Sequence, residues 1–240
     1  MHKMKRVLAL QHSWENSEGY VGKVLRQHHI AYDMIKVETE PIPEPTHYAA
    51  IVAFGGPQHV YETDKYPFFI TEQEMWRMAV EHEIPCLGIC LGGQALAKAL
   101  GGSVQRHTTS EIGFFDIPFT EEGSKDPLYA GLPGYQKVFH WHEDAFDLPP
   151  GAIRLASNEN TKNQAFRYGN STYGLQYHIE VDASMLDLWF HQMTSQEEII
   201  KSIGRETYEA IERDKQTQQS TYEAHTRIMF ENFLKISKLI

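Results

Sequence analysis

The sequence predicts an α/β architecture: a mostly parallel central sheet flanked by helices, followed by an antiparallel extension and a C-terminal helical extension. Three observations carry this. Short apolar runs alternate with helix-spaced segments over the first hundred residues, the pattern of a parallel sheet covered on both faces. From residue 103 to 176 the pattern changes to brief β-like runs, and beyond Asp182 the chain has helical spacing to its end. The length of 240 residues, 41% of them hydrophobic, suffices for one large domain, placed at residues 1–194, with a helical extension at 195–240.

In chain order, residues 5–12 read as a buried strand, 17–29 as a helix with Ser17 as its candidate cap, and 30–37 as a second strand. Residues 38–46 carry Pro41, Pro43 and Pro45 and read as a loop. Residues 49–54 form a third strand that ends in Gly55-Gly56-Pro57. Residues 71–83 read as a helix, with Thr71 and Glu74 spaced as a capping box. The later β-like runs are 112–119, 137–141, 154–156, 164–168 and 173–177, and Asp182 is placed to cap the helix that follows. Residues 195–214 and 217–239 are polar with apolar residues at helical intervals, such as Ile228, Met229, Phe233 and Ile236.

The chain is organised around Cys86-Leu87-Gly88-Ile89-Cys90-Leu91-Gly92-Gly93-Gln94. An apolar strand stops at a cysteine flanked by glycines and restarts as an Ala/Leu helix closed by Gly101-Gly102. The turn must hold Cys90 in a tight backbone conformation, and Gly88 and Gly92 let neighbouring segments approach closely. The helix N-terminus behind the sulfur favours the thiolate, the nucleophilic form.

Residues 88–94 resemble the nucleophile motif of class I glutamine amidotransferases, and Gln176-Tyr177-His178-Ile179-Glu180 resembles their histidine/glutamate segment. The similarity extends from about Val7 to Asp182 and is nearest to the stand-alone, GMP-synthase-like branch. It implies a flavodoxin-like fold and a cysteine hydrolase acting on the γ-carboxamide of glutamine or on another γ-glutamyl bond. Such chemistry needs a nucleophile, a proton shuttle and donors for the oxyanion. Cys90 would form the thioester, His178 would act as acid and base, and Glu180, two residues along and on the same side, would orient the imidazole. Backbone N–H groups of Leu91 and Gly56 are the oxyanion candidates. Gln94, one turn after the cysteine, carries over as a substrate contact, as do Trp141, His142 and Asp144 from a segment resembling the family's His-Gly-Asp loop. Two departures stand out: Glu143 replaces the usual glycine of that loop, and Ile179 replaces the usual proline between histidine and glutamate.

Composition excludes several classes. With 22 basic against 32 acidic residues the formal charge is −10, which disfavours nucleic-acid binding. No apolar run approaches the roughly 18 residues of a membrane span, and residues 7–10 are too short for a signal-peptide core, so a cytoplasmic protein is expected. Cys86 reads as an inert core residue. His140 and His142 lie two apart beside acids, but a further ligand at sensible spacing is missing, so no metal and no cofactor are expected. The remaining histidines, among them His28, His29 and His107, read as surface or packing residues. The expected partner is a small molecule, glutamine or a γ-glutamyl compound, and the resemblance leaves room for a separate synthetase subunit as ammonia acceptor. The alternative from another class is a non-catalytic binding or regulatory subunit that keeps the amidotransferase shell; intact Cys90, His178 and Glu180 argue against it.

Overall fold

In a computed structural model, which describes residues 6–193 and 195–240 and only the backbone of residue 109, the strands are β1 (Arg6–Gln11), β2 (Ala31–Lys36), β3 (Ala50–Ala53), β4 (Cys86–Ile89), β5 (Val104–Pro118), β6 (Tyr135–Phe146), β7 (Ile153–Ala156), β8 (Ala165–Tyr168) and β9 (Thr172–Leu175). Seven of them make one sheet in the order β2-β1-β3-β4-β9-β8-β7, while β5 and β6 pair into a separate antiparallel ribbon. The first five strands of that sheet are parallel; β8 and β7 add antiparallel neighbours at one edge. The helices are α1 (Gly19–Gln27), α2 (Phe68–Glu81), α3 (Leu91–Ala99), α4 (Glu121–Lys125), α5 (Ala183–Asp187), α6 (Gln196–Ile203), α7 (Arg205–Thr217) and α8 (Gln219–Ile236).

Both faces of the sheet are covered, which is why β3 and β4 are apolar without alternation. One face packs on α1 and α8 through Val21, Val24, Phe230 and Phe233. The other packs on α2 and α3 through Phe69, Trp76, Ala95 and Leu96. Burying a side chain such as Phe69, fully enclosed here, stabilises by about 1.5–3 kcal/mol. A third apolar cluster joins the ribbon to the later helices and includes Phe139, Trp189, Ile199 and Tyr222. Because β4 is central, between β3 and β9, its carboxyl end and those of its neighbours converge at one edge, where open α/β sheets hold their ligands.

Several boundaries differ from the sequence reading. Lys5, expected to begin the first strand, lies outside the described residues. Ser17 does not cap α1; the N-cap is Glu18, with no side-chain bond. Thr71 lies inside α2, which starts three residues earlier behind Pro67, whose φ of −64° suits helix entry. Asp182 does cap α5, accepting from the N–H groups of Ser184 and Met185. The antiparallel extension of the sheet is β8 and β7, whereas the longer runs pair with each other because β5 meets β6 from Val104↔Phe146 to Pro118↔Tyr135. The C-terminal stretch holds three helices instead of two, since Gly204, at φ 84°, interrupts it. Its last helix joins the main core: Met229, Phe230, Phe233 and Leu234 are fully buried there. Among the described residues no helix is long and apolar enough to cross a membrane.

Candidate active site

Cys90 occupies the sharp turn between β4 and α3 with φ 50° and ψ −108°. Its N–H donates to Leu175 O at 2.8 Å and its carbonyl accepts from Gln94 N at 2.9 Å. The elbow is pressed against β3: a Cβ at Gly92 would lie 2.5 Å from Ala53 O, so no other residue fits. The Gly92 N–H is taken by Phe54 O at 3.2 Å. That of Leu91, at the first helical position, has no intrahelical acceptor and stays beside the sulfur.

His178 follows β9 and is fastened to β6 by a bridge in which its N–H donates to Phe139 O at 2.8 Å. Its Nδ1 lies 2.7 Å from Glu180 Oε1. A ring nitrogen facing a carboxylate is a donor, which turns Nε2 over to Cys90. The second carboxylate oxygen of Glu180 accepts the N–H of Ile179 at 3.0 Å. Imidazole and carboxylate are 3% and 0% exposed. Burial alone would push protons off His178, but the charge of Glu180 and the charge and hydrogen bond of Cys90 outweigh it and hold the imidazole well above its usual range. The structure thus brings Cys90, His178 and Glu180 together in one chain of contacts.

The Gly55-Gly56-Pro57 turn ends β3 beside this line. A Cβ at Gly55 would come 2.6 Å from His178 Cε1. Behind the turn lies a feature that sequence reading missed: His12 and Glu72, both fully buried, meet at 2.9 Å, and the other ring nitrogen of His12 bonds Phe54 O at 2.9 Å. Burial lowers His12, yet Glu72 and the Phe54 carbonyl raise it above its ordinary value, so both nitrogens donate. Gln58 Nε2 in turn donates to His12 O at 2.7 Å.

Cys90, Leu91, Gly56, Gln94, His142 and Asp144 line a cavity of about 280 Å³, near the lower end of the roughly 300–1,000 Å³ usual for ligand pockets. Gln94 Nε2 donates to Asp144 O at 3.1 Å. The Asp144 carboxylate accepts from His59 Nδ1 at 2.7 Å and from Tyr61 OH at 3.4 Å. These two residues were also missed; they follow the Gly-Gly-Pro turn at a strand's carboxyl end, and that position was their signal. Trp141 belongs to β6, not to a loop; its carbonyl lies 4.0 Å from Cys90 Sγ and its ring packs on Phe190 and Trp189. Glu143 turns to the rim and pairs with Arg106 at 2.7 Å. Cys86 is wholly buried in β4 and its thiol is pushed far up by burial.

The further metal ligand that the sequence lacked at sensible spacing is present in space. The register of the ribbon sets Glu111 opposite His142, and one ligand atom each from Glu111, His140 and His142 lies within 4.8 Å of the others. Glu111 is occupied, however: Asn158 bonds one oxygen, while Thr161, Gln164 and His142 bond the other. The Nδ1 of His142 bonds Asp144 O at 3.0 Å and its Nε2 lies 3.1 Å from Glu111, so both of its nitrogens are engaged. Burial opposes charge on Glu111, but His142, His140, Thr161 and Asn158 hold it well below the usual carboxylate range. A carboxylate so fully engaged fits a hydrogen-bonded brace under the pocket floor better than a metal ligand set.

Together these features define an α/β protein with a cysteine elbow facing a buried histidine–glutamate pair. The sequence profile described as "Glutamine amidotransferase class-I" matches residues 20–190, and the chain belongs to that family, whose general chemistry is glutamine hydrolysis. It is 31% identical over 195 residues to the glutamine amidotransferase-like protein YfeJ of Salmonella typhimurium, covering 80% of this chain and 77% of that one. It is 34% identical over 184 residues to the GMP synthase (glutamine-hydrolyzing) of Thermosipho melanesiensis, covering 74% of this chain but only 33% of that protein. Among solved structures, a glutamine amidotransferase from Thermotoga maritima superposes with a TM-score of 0.83 at 32% identity, covering 98% of this chain and 100% of that one. A glutamine amido transferase from Methylobacillus flagellatus superposes with a TM-score of 0.86 at 27% identity, covering 97% and 95%.

Proposed function

We propose that this chain hydrolyses the γ-carboxamide of glutamine, or a γ-glutamyl bond, through a thioester on Cys90. The observation that carries the reading is the line from the elbow sulfur through His178 to Glu180, with Nδ1 and Oε1 at 2.7 Å. The thiolate attacks the γ-carbonyl carbon, the N–H groups of Leu91 and Gly56 receive the oxyanion, and His178 hands its proton to the departing nitrogen. Water then attacks the thioester, gives a proton to His178, and releases glutamate. Gln94, Trp141, His142 and Asp144 hold the glutamyl half. Residues 1–194 carry this chemistry and 195–240 form the extension.

Cys86 and Cys90 are both free, and a nucleophile that must stay reduced suits a cytoplasmic setting. The ammonia acceptor is water or a separate synthetase subunit, and no nucleic acid or membrane enters the reading. Glutamate release from glutamine and from γ-glutamyl amides is the test, with wild type beside Cys90→Ala. Turnover lost in the variant supports the assignment. Equal rates in both proteins, or no mass gain on Cys90 after treatment with a glutamine-like diazo-ketone, would overturn it.

A further inference from the structure

A second cavity, of about 470 Å³, lies against the first. The two share Gly56, Pro57 and Trp141, but Cys90 and Gln94 line only the smaller and His178 lines only the larger. That division matters chemically. In amide cleavage the acyl half stays on the sulfur, while the amine half departs on the side of the acid that protonates its nitrogen. The larger cavity is therefore on the leaving-group side, and ammonia alone would leave it almost empty.

Its walls are Pro57, Trp141, Trp189, Met193, Ile199 and Ile203. Ile199 and Ile203 come from α6, beyond the residues 20–190 that match the family profile. No lysine or arginine lines it among the described residues. Glu15 does, and its Oε2 is buried without a hydrogen-bond partner. An unpaired buried carboxylate oxygen asks for a donor, preferably charged. Two indoles nearby add faces on which a cation is attracted.

We infer that this cavity is a leaving-group subsite, and that the substrate is an N-substituted γ-glutamyl amide whose amine half is an aliphatic chain ending in an ammonium. This deepens the proposed function and rests on it. The chain lies along Trp141, Trp189 and Ile199, and its terminal ammonium reaches Glu15. Cleavage breaks the amide C–N bond and forms the C–S bond to Cys90. The His178 proton goes to the freed nitrogen, and the diamine leaves before water enters.

The test compares kcat/KM for four γ-glutamyl amides: glutamine itself, and those of butylamine, 1,4-diaminobutane and glycine. The diaminobutane amide is expected to exceed glutamine by about 10–100-fold, the order that one or two well-buried methylenes give. The glycine amide, ending in a carboxylate, is expected to be the poorest. Ser202→Trp fills the cavity from an exposed helical position and is expected to cost the diaminobutane amide about tenfold more than it costs glutamine. Glu15→Gln is expected to bring the diaminobutane amide down toward the butylamine amide. Glutamine turned over fastest, with Ser202→Trp lowering all four alike, would overturn the subsite and leave the proposed function standing. No turnover of any amide, together with no mass gain on Cys90 after treatment with the diazo-ketone, would overturn both.

Discussion

The backbone N–H of Ile179 donates to Oε2 of Glu180 at 3.0 Å, while Oε1 of the same carboxylate lies 2.7 Å from Nδ1 of His178. Both oxygens of a fully buried acid are thereby fixed, one by the ring it orients and one by its own neighbour. The proline usual at this position in the resembling family has no N–H to give. This chain therefore anchors its carboxylate in a way that proline would forbid.

Ile179→Pro should leave Oε2 without that donor, a loss of about 1–3 kcal/mol for a buried polar atom. Steady-state kinetics should show kcat falling about tenfold with KM little changed, the corresponding factor at the lower end of that range. Ile179→Val keeps the N–H and should retain activity. Equal kinetics in the proline variant and wild type would refute the anchoring role.

Glu180→Gln removes one of the two charges that hold the proton on His178. Cys90 alone then opposes burial, so the alkaline limb of the kcat/KM profile should move to lower pH, and kcat should fall by about 10²–10⁴-fold. The sign for stability follows from the raised value. The folded state binds this proton more tightly, so its contribution is complete below about pH 6.5 and disappears as pH rises through the folded value. An unshifted alkaline limb would show that another group sets it.

Glu72→Gln tests the buried pair behind the Gly55-Gly56 turn. Removing one partner of a buried ion pair costs about 3–5 kcal/mol, which urea denaturation would read directly. His12 is raised in the folded state, so the advantage of wild type should be complete below about pH 6.5 and shrink as pH rises through the folded value. Because the turn carries Gly56, the proposed oxyanion donor, kcat should suffer more than KM. A variant as stable as wild type would remove the pair from the account.

Chelation should not change the rate of glutamate release, since Glu111 is already engaged by Asn158, Thr161, Gln164 and His142. Dialysis against EDTA followed by assay and elemental analysis decides it. Stoichiometric metal whose removal abolishes activity would reverse that assignment.

Much of the fold was legible because its signals are local. Apolar runs mark β1, β3 and β4, and the Gly-rich break marks the elbow at Cys90. The segment holding His178 and Glu180 is also local, so its resemblance to the family's histidine/glutamate segment could be read from one stretch. What stayed hidden depends on partners distant in sequence. Glu111 meets His142 only through the register of β5 on β6, and His12 meets Glu72 across sixty residues. No periodicity encodes either contact. The break at Gly204 was missed for the opposite reason, because a single glycine is weak punctuation within an otherwise helical pattern.

Cys90 keeps a backbone conformation, φ 50° and ψ −108°, that costs a side-chain-bearing residue about 1–3 kcal/mol. Glycine adopts it freely. Cys90→Gly should therefore be inert toward every amide and yet melt at a higher temperature than wild type in calorimetry. Selection of variants by heat resistance alone would steadily enrich dead proteins at this position, so any breeding of a hardier form has to score turnover in the same round.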